Sequence, residues 1–184
     1  NETVLDIKIA EILKSKYISK IVVSTPDNSV IEHLKKKKYK NLDIHFRDPK
    51  LARMNSGLFE TVNDLLLKYN LKDFDAFLTF SVHYPYLKNL YIDNAIKSMY
   101  LFDTDSVISV RKVDDTIFRA TEDGLKPFVD VENFSKLERE DLYKYSGGMI
   151  ATKISHFLKE SNFFGGKNGH VIIDQESSKE YCNE

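Results

Sequence analysis

A chain of 184 residues with 42% hydrophobic and 12% aromatic side chains has the material for one continuous core, so a single compact domain over residues 1–184 is the expectation. Its 27 basic residues balance 28 acidic ones; there is no overall field to gather nucleic acid or an anionic membrane, and any phosphate recognition has to be local. The lone Cys182 excludes an internal disulfide framework and points to a cytoplasmic address, and no run approaches the ~20 apolar residues of a spanning helix.

Leu5, Ile9, Ile12 and Leu13 fall at i, i+4, i+7 and i+8, the stripe of an amphipathic helix from about Thr3 to Tyr17. The run Ile21-Val22-Val23-Ser24, closed by Thr25-Pro26-Asp27-Asn28, reads as a buried parallel strand. Asn28 or Ser29 then caps a helix through Val30, Ile31 and Leu34. That helix ends in Lys35 to Lys38, where cations meet the negative end of the helix dipole, so the lysine run reads as a solvated helix end. Leu42, Ile44 and Phe46 alternate as a strand does, and Arg47-Asp48-Pro49-Lys50 breaks the chain into a loop. Leu58, Val62, Leu65, Leu66 and Tyr69 predict a helix, Asp75 to Phe80 a strand, Ile92 to Tyr100 a helix and Ser106 to Val110 a strand.

This alternation builds βαβ units and hence an α/β, three-layer, doubly wound, mostly parallel sheet. Between residues 111 and 145 the rhythm fails. Thr116 to Ala120 and Leu125 to Val129 flank Glu122-Asp123-Gly124, the mark of an antiparallel hairpin that leaves the sheet. Gly148 to Thr152 reads as a returning strand, Lys153 to Glu160 as a short helix and Val171 to Asp174 as the last strand. In such a sheet ligands bind beyond the carboxyl ends of the strands. The loops to inspect are therefore Ser24 to Asn28, Arg47 to Gly57, Ser81 to Leu87 and the stretch after Ile173.

Read in order, these segments resemble the acylneuraminate (CMP-sialic acid) cytidylyltransferase family. The carrying residues are Ile21-Val22-Val23-Ser24-Thr25-Pro26-Asp27, Arg47-Asp48-Pro49-Lys50-Leu51-Ala52 before a helix, and the proline loop Ser81-Val82-His83-Tyr84-Pro85-Tyr86. The strand Asp105-Ser106-Val107-Ile108-Ser109-Val110 follows, then Arg139-Glu140-Asp141-Leu142 ahead of Tyr145 to Ala151, the segment Phe163-Phe164-Gly165-Gly166-Lys167, and Ser178-Lys179-Glu180-Tyr181-Cys182.

The resemblance implies a nucleotide-diphospho-sugar transferase-like fold and a nucleotidyltransferase that joins a nonulosonic sugar acid to CTP, releasing pyrophosphate. It implies catalytic roles for Arg47 and Glu180, with Glu180 also the ligand of a magnesium ion. Ser24 falls on the nucleotide side, and Ser81, Lys126, Arg139, Phe163 and Phe164 fall on the sugar-acid side. A homodimer formed through the 111–145 hairpin is implied as well. The family's Gly-rich phosphate loop would lie ahead of Asn1, and nothing within the 184 residues substitutes for it. The residues themselves leave alternatives open. Arg47 equally suits a surface ion pair, Lys126 and Arg139 suit solvated positions, Phe163 and Phe164 suit core anchors, Gly147-Gly148 and Gly165-Gly166 suit turns, and His83 suits local hydrogen bonding. A catalytically degenerate relative serving as a binding or dimerisation subunit is the other functional expectation.

Overall fold

The computed structural model describes residues 2–52, 58–69, 75–128 and 141–181. Helix α1 (Val4–Leu13) starts on Thr3, whose hydroxyl accepts from the Asp6 amide while the Asp6 carboxylate accepts from the Thr3 amide; this reciprocal box satisfies two otherwise orphaned donors. It stops short of the expected Tyr17 because the Ser15 hydroxyl turns out of the helix, accepting from the Tyr17 amide and donating to Asp93.

Strand β1 (Ile21–Thr25) pairs in parallel with β2 (Leu42–Phe46) across helix α2 (Asn28–Lys37). The cap of α2 is Asp27, not Asn28 or Ser29: its carboxylate accepts from the Ser29 amide at 2.8 Å and meets the positive end of the helix dipole. A 3-10 turn at Pro49–Ala52 follows, then α3 (Leu58–Lys68), β3 (Ala76–Phe80), α4 (Asn89–Leu101) and β4 (Ser106–Val113). The expected hairpin is β5 (Phe118–Thr121) and β6 (Gly124–Pro127), paired antiparallel. The chain returns as β7 (Leu142–Lys153), α5 (Ile154–Glu160) and β8 (Asn168–Ile172).

The central sheet has the order β3-β7-β4-β8. Strand β7 is antiparallel to both neighbours while β4 and β8 are parallel, so β3, β4 and β8 share one direction. The expected mostly parallel α/β architecture is present, with β7 as the reversed strand. Two of the expected boundaries move. Strand β7 is longer than Gly148 to Thr152 because its first half, Leu142–Tyr145, pairs with the extension of β4 over Val110–Val113. Strand β8 lies earlier than Val171 to Asp174 because its register with β4 begins at Ser106↔Asn168.

The sheet separates two apolar layers. Ala76, Leu78 and Phe80 of β3, with Ile21 and Val23 of β1, face α1, α2 and α4 in a core built on Ile9, Leu34, Ile92, Met99, Val107 and Met149. Phe77 points the other way, to Val62 and Leu66 of α3 and Phe157 of α5, as the period of two in a strand requires. Each fully buried Leu or Ile stabilises the fold by about 1.5–3 kcal/mol relative to exposure.

Two contacts orient the whole. The Asn89 amide donates to the Glu11 carboxylate at 3.1 Å, and the Ser15 hydroxyl donates to Asp93 at 2.5 Å. Helices α1 and α4 thus run side by side in one direction, each leading into a strand of the same sense; β1 and β2 pair as a two-stranded sheet of their own, and the carboxyl ends of its strands and of β3, β4 and β8 face the same way and define one edge. The Lys8 ammonium, donating to the Tyr84 carbonyl at 2.6 Å, ties α1 to that edge.

Candidate functional site

The β1–β2 part of this edge is built on a cross-strand pair. Ser24 and His45 are register partners, and the Ser24 hydroxyl lies 2.9 Å from His45 Nδ1. Arg47, just past the end of β2, folds back on β1. Its Nε donates to Ser24 Oγ at 3.3 Å, its Nη2 to the Ser24 carbonyl at 2.7 Å, and its amide to the Thr25 carbonyl at 3.0 Å. A guanidinium has five N–H donors in a planar fork, so three remain after these contacts. No ion pair among the described residues includes Arg47. An arginine pinned by neutral groups, with three donors unengaged among the described residues, can receive a phosphate or ribose edge bidentately.

Behind this pair, Lys68 Nζ lies 2.5 Å and Asp64 Oδ2 3.2 Å from His45 Nε2, and Lys68 and Asp64 are themselves 3.1 Å apart. Burial lowers the His45 pKa from its usual value, and the Lys68 charge lowers it further against the opposing pull of Asp64. The linear sequence did not single out His45. The strand alternation placing it beside Ser24, on the α3 face, was the available signal.

The β3 part of the edge is the Ser81 to Tyr84 turn. The Ser81 amide donates to the Gly148 carbonyl at 2.7 Å, and the Tyr181 amide to the His83 carbonyl at 2.6 Å. Glu180 is thereby carried beside the turn, exposed to solvent. Gly147 and Gly148 do not make a turn between elements. They lie inside β7 at the register shift opposite Ser109, with φ of 78° and 61°, a bulge that re-aims the strand at the edge. A Cβ on Gly148 would sit 2.6 Å from both Ser81 Cβ and the Tyr84 ring, so the close approach of the Ser81 turn requires glycine there. Lys8, 2% exposed, underlies the same turn, and burial pushes its pKa down to about 8. Asp174, just after β8, accepts from Lys88 at 2.8 Å and from the Ser177 amide at 2.7 Å, and its own amide donates to the Tyr91 hydroxyl. Lys88 holds its carboxyl well below the usual range. It is a second carboxylate at this edge, where the sequence motif had supplied only Glu180.

The remaining sequence-derived candidates lie elsewhere. Lys126 is on the exposed β6, 3.0 Å from Asp123. Arg139 and Cys182 lie outside the described residues. Phe163 is at the opposite edge, its ring 5.3 Å from Phe157 and 6.1 Å from Phe77 near the start of β3. The reversed direction of β7 delivers α5 and the segment after it to that edge. Phe163 therefore anchors the second core, and its neighbour Phe164 does not reach the Ser24–Ser81 side. Among the described residues, no group of three or more His, Cys, Asp or Glu side chains stands ready to hold a metal ion, and no helix is long and apolar enough to cross a membrane.

This arrangement of strands and helices recurs in solved structures. A 4-diphosphocytidyl-2C-methyl-D-erythritol synthase from Anaerococcus prevotii superposes with a TM-score of 0.67 at 16% identity, over 97% of this chain and 80% of that one. A 2-C-methyl-D-erythritol 4-phosphate cytidylyltransferase from Francisella tularensis gives 0.63 at 10% identity, over 99% and 83%. A CMP-2-keto-3-deoxy-manno-octonic acid synthetase, solved with CTP, gives 0.62 at 8% identity, over 92% and 79%. The chain has the fold of these nucleotidyltransferases. At these identities the likeness is one of fold. No protein-family model matches the sequence, and no curated protein matches it.

Proposed function

We propose that the chain is a CTP-dependent cytidylyltransferase that activates a nonulosonic sugar acid. The observation that carries the proposal is the Arg47 fork at the carboxyl ends of β1 and β2, held by Ser24 with three donors free and no carboxylate partner among the described residues. The shared fold with proteins named for cytidylyl transfer supports it.

In this chemistry a sugar-acid hydroxyl attacks the α-phosphorus of CTP, and pyrophosphate leaves with the bond electrons. No covalent protein intermediate is required, so positioning and charge neutralisation are the whole task. Arg47 and Ser24 would hold nucleotide oxygens. Ser81, on a turn fixed by Lys8, Gly148 and Tyr181, would face the acceptor sugar. Lys126 and Arg139 belong to or adjoin the hairpin segment and would meet the sugar carboxylate from a second copy, which is why the active unit is proposed to be a homodimer. Glu180, exposed beside the Ser81 turn, would hold magnesium through its hard carboxylate oxygens, the triphosphate supplying the remaining ligands, whereas Asp174 is already engaged by Lys88 and the Ser177 amide. When bound, magnesium would neutralise charge on the leaving pyrophosphate.

The test is pyrophosphate release by the native protein with CTP, magnesium and a panel of acceptors. The panel holds several nonulosonic acids, deoxyoctulosonic acid and 2-C-methyl-D-erythritol 4-phosphate. Release with a nonulosonic acid, reduced at least about a hundredfold in Arg47→Ala, supports the proposal. Release only with another acceptor keeps cytidylyl transfer and overturns the substrate. CTP binding without release supports a binding subunit, and neither binding nor release overturns both.

A further inference from the structure

We propose that His45 is a positioning residue whose proton is locked on Nδ1 by the Lys68 ammonium, so that Ser24 receives hydrogen bonds from the protein and keeps its own hydroxyl proton for a ligand oxygen. The inference rests on the nucleotide-binding assignment of Ser24 and Arg47 for its ligand, but not for its proton arrangement.

The arrangement follows from donor counting. An ammonium has only donors to offer, and Lys68 Nζ stands 2.5 Å from His45 Nε2. Nε2 must then present a lone pair. Asp64 Oδ2 competes for a proton on the same nitrogen, but from 3.2 Å. The closer cation decides. Burial and the Lys68 and Arg47 charges lower the ring's pKa from its usual value, with Asp64 opposing, and so favour the neutral ring that the Lys68 contact requires. A neutral ring whose Nε2 accepts carries its single proton on Nδ1, and Nδ1 points at Ser24 Oγ from 2.9 Å.

Ser24 Oγ thus accepts from two donors, His45 Nδ1 and Arg47 Nε. Two lone pairs are thereby engaged, and the hydroxyl proton is left without a protein acceptor among the described hydrogen bonds. With the opposite tautomer Ser24 would spend that proton on Nδ1. The lock converts a residue that would bond inward into a donor aimed outward beside the free Arg47 N–H groups. A hydroxyl and a guanidinium edge together suit an anionic or ribose oxygen of a nucleotide.

Two measurements on the full-length protein decide this. The first is the long-range proton–nitrogen correlation of the labelled histidine rings, without ligand. The expectation is a neutral His45 protonated on Nδ1, which in Lys68→Met switches to Nε2 as Asp64 takes over the contact. An Nε2 proton in the unmodified protein, or a tautomer indifferent to Lys68→Met, overturns the inference whether or not CTP binds.

The second is CTP affinity by calorimetry in the unmodified protein and three variants. Lys68→Met and His45→Leu are expected to weaken binding about tenfold, the worth of one hydrogen bond. His45→Asn, which can keep a donor near the Nδ1 position, is expected to restore most of the loss. Thermal unfolding of each variant identifies any that fail to fold. Unchanged affinity in both Lys68→Met and His45→Leu overturns the positioning role. Absence of CTP binding in the unmodified protein overturns the functional assignment instead, and the tautomer measurement then decides the proton lock alone.

Discussion

At the residue scale, what sequence reveals depends on whether a role is set along the chain or across it. The place of Arg47 in the fold was legible because a cation immediately after a strand falls at the edge where ligands meet such sheets. His45 was not, because its partnership with Ser24 exists only once β1 and β2 are in register. Gly148 shows the same limit from the other side. Its doublet signals a turn, whereas the structure uses it as a bulge over which Ser81 and Tyr84 close. Gly148→Ala should therefore be costly twice over, by a positive φ and by a Cβ 2.6 Å from two neighbours. We expect a loss of about 2 kcal/mol or more in urea unfolding, together with weakened acceptor binding. A loss under about 0.5 kcal/mol would contradict the tight approach.

Elements were legible where a helix or strand carries its own periodicity, and their ends were not where a distant side chain decides them. The stripe of α1 gives its existence, but its stop depends on Asp93 of α4. Its start depends on Asp6, a charged residue that the structure buries to 2% exposure. Burial alone would raise the Asp6 carboxyl, but hydrogen bonds from Tyr39, the Thr3 amide and His33 outweigh it and hold the group well below the usual carboxylate range. The same contact, after burial, pushes the Tyr39 phenol up to about 12. One carboxylate thus caps α1 and ties it to α2 and the Tyr39 segment beyond. Asp6→Ala is expected to cost about 2–3 kcal/mol, since buried donors lose a charged acceptor. The pH dependence has a definite sign. With the folded pKa below the unfolded one, the stabilisation is complete above about pH 4 and is lost progressively as pH falls below it. Acid unfolding of Asp6→Asn should begin from lower stability and show a shallower slope below pH 4 than the unmodified protein. Equal slopes would remove Asp6 from the account.

At the scale of the whole molecule, the strand–helix rhythm predicted the layers, while the reversed β7 and the sheet order required the tertiary structure, because they are decided by where a long return strand can pair. That reversal is also what sends Phe163 to the far edge. The β5–β6 hairpin is apolar and exposed among the described residues. Ile117, Phe118, Leu125 and Phe128 are 39%, 52%, 72% and 59% exposed, and a two-stranded ribbon on its own is marginal in water. In the proposed homodimer a second copy would cover this apolar ribbon by applying the same surface, the commonest closed symmetry among homo-oligomers. Sedimentation equilibrium of the native protein should therefore give two chains per particle. The double variant Phe118→Asp and Leu125→Asp should give one, because each buried carboxylate would cost several kcal/mol across the shared face. The sheet cores lie elsewhere in the fold, so far-ultraviolet circular dichroism should be nearly unchanged in that monomer. Pyrophosphate release should fall with dimer dissociation if Lys126 or Arg139 serves the partner's site. A native particle of one chain, 21.3 kDa for these residues, would refute the dimer and return the hairpin to a role within its own subunit.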